Sequence, residues 1–150
     1  MITGAAVAEV LGIERRDHEP MSLLSLVAEV EQGLPLSALD RLVRQVAPDD
    51  NAFIFRLIPR ATLARRRQDA GKRTGMSRLS PDEGARVARL ADTWAFAREV
   101  WGSDDEARDF LFRPHPLLDG RRPVDVVLAS EFGRPLVEGI LGGLKYGSAV

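Results

Sequence analysis

Apolar residues recur at three- and four-residue spacing along most of this chain, and no clean alternation lasts more than a few positions. That spacing belongs to helices with one buried stripe, because a helix turns every 3.6 residues whereas a half-buried strand needs a period of two. Between Ser22 and Gln32 the stripe is Leu23, Leu26, Val27 and Val30, and Gly33 stops it. Between Pro35 and Val46 it is Leu36, Leu39, Leu42, Val43 and Val46, followed by the turn and N-cap cluster Pro48, Asp49 and Asp50. A short apolar segment, Asn51 to Ile58, is halted by Pro59, and Arg60 to Lys72 then reads as a strongly basic helix. The second half opens on a complete capping box, with Ser80 as N-cap, Pro81 at N1 and Glu83 at N3. The helix behind it carries Val87, Leu90, Ala91, Trp94, Ala97 and Trp101, and Gly102 ends it. Ser103 to Glu106 repeats the start signal, with Phe110 and Leu111 inside the helix that follows. Pro123 starts a helix ending near Leu128, and Pro135 begins the last, with Leu136, Val137, Ile140, Leu141 and Leu144 apolar. Residues 1–20 read as a leader, broken at Asp17 to Pro20. Seven or eight helices and no strand are expected, so the fold class is all-α.

Several function classes drop out on chemistry. The chain has 150 residues, 45% hydrophobic and 29% charged, which gives one domain or two small helical ones a core. It has no cysteine, so disulfides, thiolate catalysis and the common zinc ligations are excluded. His18 and His115 stand far apart and in no metal-ligand spacing. Neither a phosphate-cradling glycine loop nor HExxH nor GxSxG is present. The carboxylate groups at Asp49 and Asp50 and at Asp104, Asp105 and Glu106 sit at helix starts, where the macrodipole favours negative charge. No catalytic residue, cofactor or metal is expected; the chain is not read as an enzyme. Met1 to Leu11 has no basic region and is interrupted by Glu9, so neither a signal peptide nor a membrane span is expected and the location is read as cytoplasmic.

The charge distribution says more than the net charge of −1. From Arg56 to Arg78 lie eight cations, Arg56, Arg60, Arg65, Arg66, Arg67, Lys72, Arg73 and Arg78, opposed only by Asp69. Such a cluster is either a footprint for phosphate, which releases counterions on binding, or a solvated helix paired with acidic neighbours. Charge alone does not choose. The order does favour one: a helix (36–46), a turn, a short helix (50–57) and a basic helix (61–72) is the layout of a helix-turn-helix. The spacing predicts that Thr62, Arg65 and Arg66 point together, with Leu63 holding the helix to the core.

The run Ile58, Pro59, Arg60, Ala61, Thr62, Leu63, Ala64, Arg65, Arg66, followed by Leu79 to Glu83, resembles the join between two regions of the Xre/ParS/MbcA antitoxins. Arg89, Leu90 and Ala91 agree in order, as do Ala97 to Gly102, Phe110 and Leu111, Pro114, Leu117 to Pro123, Gly133 and the terminal Leu144 to Gly147. The likeness spans roughly residues 35–147. Phe53 and Leu57 stand where helix-turn-helix motifs commonly have a small residue and the turn glycine, and Arg56 where an apolar residue is expected.

The resemblance implies an antitoxin of a type II toxin-antitoxin system. It implies a RES-domain toxin as partner, one that consumes NAD or transfers ADP-ribose, whose NAD pocket the antitoxin's C-terminal region blocks. A homodimer within a hetero-oligomer, and operator DNA bound in autorepression, go with it. The expected DNA-binding residues are Arg60, Thr62, Arg65, Arg66, Arg67 and Lys72; the expected toxin-binding residues are Arg121, Arg122, Gly143, Leu144, Lys145, Tyr146 and Gly147. The expected domains are a leader and helix (1–34), a helix-turn-helix-like bundle for DNA or dimer contacts (35–75), and a toxin-binding helical domain packed with it (76–150). Gly139, Gly142 and Gly143 weaken the last helix, by about 1 kcal/mol each against alanine, and allow close approach. The alternative class is a free-standing helix-turn-helix regulator whose C-terminal half serves dimerisation.

Overall fold

The computed structural model describes residues 2–72, with the backbone alone for Lys72, and 77–147. Arg73, the Lys72 side chain and the tail after Gly147 therefore lie outside the described residues. Within them the chain forms eight α-helices: α1 (Gly4–Leu11), α2 (Leu23–Gln32), α3 (Leu36–Val46), α4 (Arg60–Lys72), α5 (Pro81–Trp101), α6 (Asp104–Phe112), α7 (Pro123–Ala129) and α8 (Gly133–Tyr146). Two 3-10 turns, Phe53–Arg56 and Pro116–Leu118, complete the list. An isolated bridge between Pro35 and Arg78 is the one strand-like pairing among the described residues. No described helix is long and apolar enough to cross a membrane. The fold is all-α, as expected.

The chain divides into two compact units, residues 3–88 and a second that runs on from Arg89, so the division falls within α5. In the first unit the expected leader carries a helix, α1. Thr3 caps α1 by accepting the Ala6 N–H at 3.1 Å, and Gly12 closes it with φ of 68°. Val7, Ala8, Val10 and Leu11 are buried, and α1 packs on α2 and α3. Ser22 caps α2 through the Ser25 N–H at 3.0 Å, and Gly33 ends it, as the sequence indicates. Leu34, Leu39, Leu42, Val46, Phe53, Leu57 and Ile58 form the centre of this core. Each such side chain contributes about 1.5–3 kcal/mol on burial.

The capping box of α5 is built as its spacing demands. The Glu83 N–H donates to Ser80 Oγ at 3.2 Å, and the Ser80 N–H donates back to Glu83 Oε1 at 2.8 Å. Just before it, the Leu79 N–H donates to the Leu34 carbonyl at 2.8 Å, tying this start to the α2–α3 connection. In the second unit Leu90, Ala91, Trp94 and Ala97 of α5 are fully buried, together with Leu111, Val124, Val127, Val137 and Leu141. Helix α8 begins two residues before the expected Pro135. Gly133 makes that start by lying so close to α7 that an added Cβ would fall 1.9 Å from the Val126 carbonyl oxygen.

Candidate functional site

The first half of the helix-turn-helix is shorter than its spacing suggests. Where a helix over 50–57 is expected, only the 3-10 turn Phe53–Arg56 forms, preceded by a turn in which Asp50 Oδ1 accepts the Ala52 N–H at 2.9 Å. Phe53, in the position of the usual small residue, is buried. Leu57 takes the place of the turn glycine without strain: it is right-handed at φ −97°, and among the described residues none from 47 to 59 has positive φ.

On helix α4 Leu63 is buried, as expected; Thr62 and Arg66 are half-buried, while Arg65 faces solvent. Arg66 instead turns to α5, where its Nε and terminal nitrogen donate to Glu83 Oε1 at 3.1 and 2.9 Å. Arg67 forks onto Asp40 of α3 at 2.8 and 3.2 Å, and those hydrogen bonds hold its pKa above the ordinary value. Arg60 lies 3.9 Å over the Phe55 ring, which fastens the start of α4 to the 3-10 turn. Arg65 and Gln68 are exposed and make no hydrogen bond or ion pair among the described residues. Gln68, an uncharged side chain, is not among the residues expected from the charge pattern.

In the second unit the expected partner-binding residues fall into two groups. Leu144, Lys145 and Tyr146 end α8, and Gly147 caps it in the left-handed region with φ of 64°, donating to the Gly143 carbonyl. Arg121 and Arg122 lie before α7: Arg121 is exposed, while Arg122 forks onto Asp125 at 2.8 and 3.0 Å. Between these groups in sequence, the outer surface of α8 carries a feature that spacing left as core. Leu136 is 60% exposed and Phe132, just before the helix, 86%, whereas Val137 and Leu141 are buried. Pro135 and Gly139 are exposed beside them, and Tyr146 continues the surface at 68%.

The charged side chains of α8 all turn the other way, toward α5. Arg134 reaches Asp92 at 3.0 Å and Glu138 at 3.2 Å, and Lys145 reaches Glu99 at 2.7 Å. Burial, reinforced by the Asp92 carboxylate alongside, pushes the Glu138 carboxyl up to about 7 despite Arg134. What faces outward is apolar and glycine surface. Nearby, Trp101, Phe110, His115 and Leu144 line a cleft of about 390 Å³, with Glu106 and Asp109 at its edge. Trp101 stands 37% exposed there, although it is in phase with the buried Trp94. No group of three or more metal-ligating side chains forms among the described residues.

Two family models match the chain. The antitoxin Xre-like helix-turn-helix domain matches residues 25–92, and the antitoxin Xre/MbcA/ParS C-terminal toxin-binding domain matches residues 96–147. No curated protein matches it.

Proposed function

Because the chain belongs to the Xre/MbcA/ParS-type antitoxins, with one family model on each half, we propose that its partner is a RES-domain toxin that consumes NAD or transfers ADP-ribose, and that the C-terminal region obstructs that toxin's NAD pocket. On this reading α8 is the docking element. The observation that carries it is the outward surface of Phe132, Leu136 and Tyr146, left bare within the region matched to toxin binding while Arg134, Glu138 and Lys145 are spent on α5. Large apolar side chains left exposed together on one helix mark a surface that a partner covers. Arg121, Gly143, Leu144 and Gly147 extend it at either end; Lys145 joins it only on leaving Glu99, and Arg122 orders the start of α7 through Asp125.

The same reading assigns the first unit to operator DNA, with α4 in the major groove and the complex repressing its own promoter as a homodimer within a hetero-oligomer in the cytoplasm. No catalysis by this chain is involved. The test is binding of the purified chain to the product of the gene adjacent to its own. A stable complex that the Leu136→Asp substitution weakens by about tenfold or more supports the reading. A complex indifferent to Leu136 and Phe132 removes α8 as the docking element.

A further inference from the structure

Among the described side chains of helix α4, six (Arg60, Thr62, Arg65, Arg66, Arg67 and Gln68) could be set against DNA, yet the fold has already committed several of them. Arg66 is held by Glu83, Arg67 is forked by Asp40, and Arg60 lies on Phe55. Thr62 is half-buried beside Arg66. The residues left on the surface opposite the buried Leu63 are Ala61, Arg65 and Gln68, four and then three apart, as one helical stripe requires.

Resting on the assignment of α4 to DNA, we propose that Arg65 and Gln68 read base edges in the major groove, and that Arg66 and Arg67 are positioning residues that fix the angle of the helix. The chemistry of the two free side chains names the bases. A guanidinium presents two parallel donors that match O6 and N7 of guanine; a carboxamide presents one donor and one acceptor that match N7 and N6 of adenine. Arg65 and Gln68 stand about 4.5 Å apart along the helix axis, close to the roughly 3.4 Å step between base pairs, so the guanine and the adenine belong to neighbouring or next-neighbouring pairs. Arg66 and Arg67 are unsuited to that task, because reaching a base would take from Glu83 and Asp40 the guanidinium that each now holds. Ala61, a turn before Arg65, presents only a methyl group to the groove.

The experiment is selection of duplexes from a pool with a randomised core, using the full chain and the variants Arg65→Ala, Gln68→Ala and Arg67→Ala. Both Arg65 and Gln68 are exposed and make no hydrogen bond or ion pair among the described residues, so their variants are expected to fold as the parent does, which melting curves check. The expected result is a motif with a guanine and an adenine one or two steps apart. Arg65→Ala loses the preference at the guanine and Gln68→Ala at the adenine, each by about tenfold or more. Arg67→Ala keeps both preferences while binding more weakly. If the parent enriches a motif that Arg65→Ala and Gln68→Ala enrich unchanged, the base-reading assignment is overturned while DNA binding stands. If the parent enriches no motif, DNA binding itself falls, and this assignment with it.

Discussion

The Lys145 ammonium, in the last turn of α8, lies 2.7 Å from the Glu99 carboxylate on α5. The hydrogen bond that Lys145 donates to Glu99 holds the Lys145 pKa above its ordinary value, and the amine also lies 5.4 Å from the Tyr146 ring. A residue expected to reach a partner is thus tethered within its own unit. Glu99→Gln is expected to leave the melting temperature nearly unchanged, because an exposed ion pair contributes little to folding. It should tighten toxin binding if Lys145 is used there, and Lys145→Ala should weaken it. Equal affinities for parent, Glu99→Gln and Lys145→Ala would remove Lys145 from the docking surface.

Glu83 serves two elements at once, accepting the Ser80 N–H in the capping box and the Arg66 guanidinium from α4. Glu83→Ala is expected to cost about 1–2 kcal/mol, the loss of a cap plus a charge-assisted hydrogen bond. Glu83→Gln keeps an acceptor for Ser80 and should cost less. Denaturant melts of the two variants check the order; reversed costs would detach the cap from the stability of α5.

Glu138 sets a pH dependence with a definite sign. Its folded pKa, about 7, lies above its ordinary 4.5, because burial and the Asp92 carboxylate disfavour the charge. The folded state therefore holds the proton more tightly than the unfolded chain. The stabilisation is complete below pH 4.5 and is lost as pH rises to 7. Glu138→Gln, uncharged throughout, is expected to flatten that decline and to melt higher than the parent above pH 7. Parallel melting-temperature profiles for the two proteins would show that Glu138 does not titrate in this way.

These sites differ in how far the sequence announced them. The capping boxes and glycine stops rest on neighbours within a few residues, so Ser22, Gly33, Ser80 and Gly102 marked their helices before any fold was known. Helix α1 escaped because its run of Ala and Val, buried for the most part, offers no polar stripe to contrast with the apolar one. The ion pairs of α4 escaped for a different reason: Asp40 and Glu83, which hold Arg67 and Arg66, lie 27 and 17 residues away in sequence. On α8, Leu136 and Leu144 fit a helical stripe with Val137 and Leu141, but a terminal helix can present apolar residues on two sides, and spacing cannot say which side the core takes.

Two glycines of the second unit should behave in opposite ways. A Cβ at Gly133 would collide with the Val126 carbonyl, a backbone atom that cannot swing aside, so Gly133→Ala is expected to cost about 2–3 kcal/mol or more. At Gly139 a Cβ meets nothing within 4 Å, so Gly139→Ala is expected to stabilise the helix by about 0.5–1 kcal/mol. If the toxin's backbone approaches α8 here, the same Gly139→Ala chain binds it more weakly although it melts higher. A variant both more stable and equally tight would place Gly139 off the interface.

The most direct test of the antitoxin account is growth of cells expressing the product of the adjacent gene, alone, with this chain, and with its Phe132→Asp, Leu136→Asp variant. The account predicts arrest when the neighbour is expressed alone, relief by the parent chain, and renewed arrest with the double variant, whose folding is verified by its melting curve. A neighbour that leaves growth untouched, or a double variant that relieves arrest as fully as the parent, would contradict toxin neutralisation through α8.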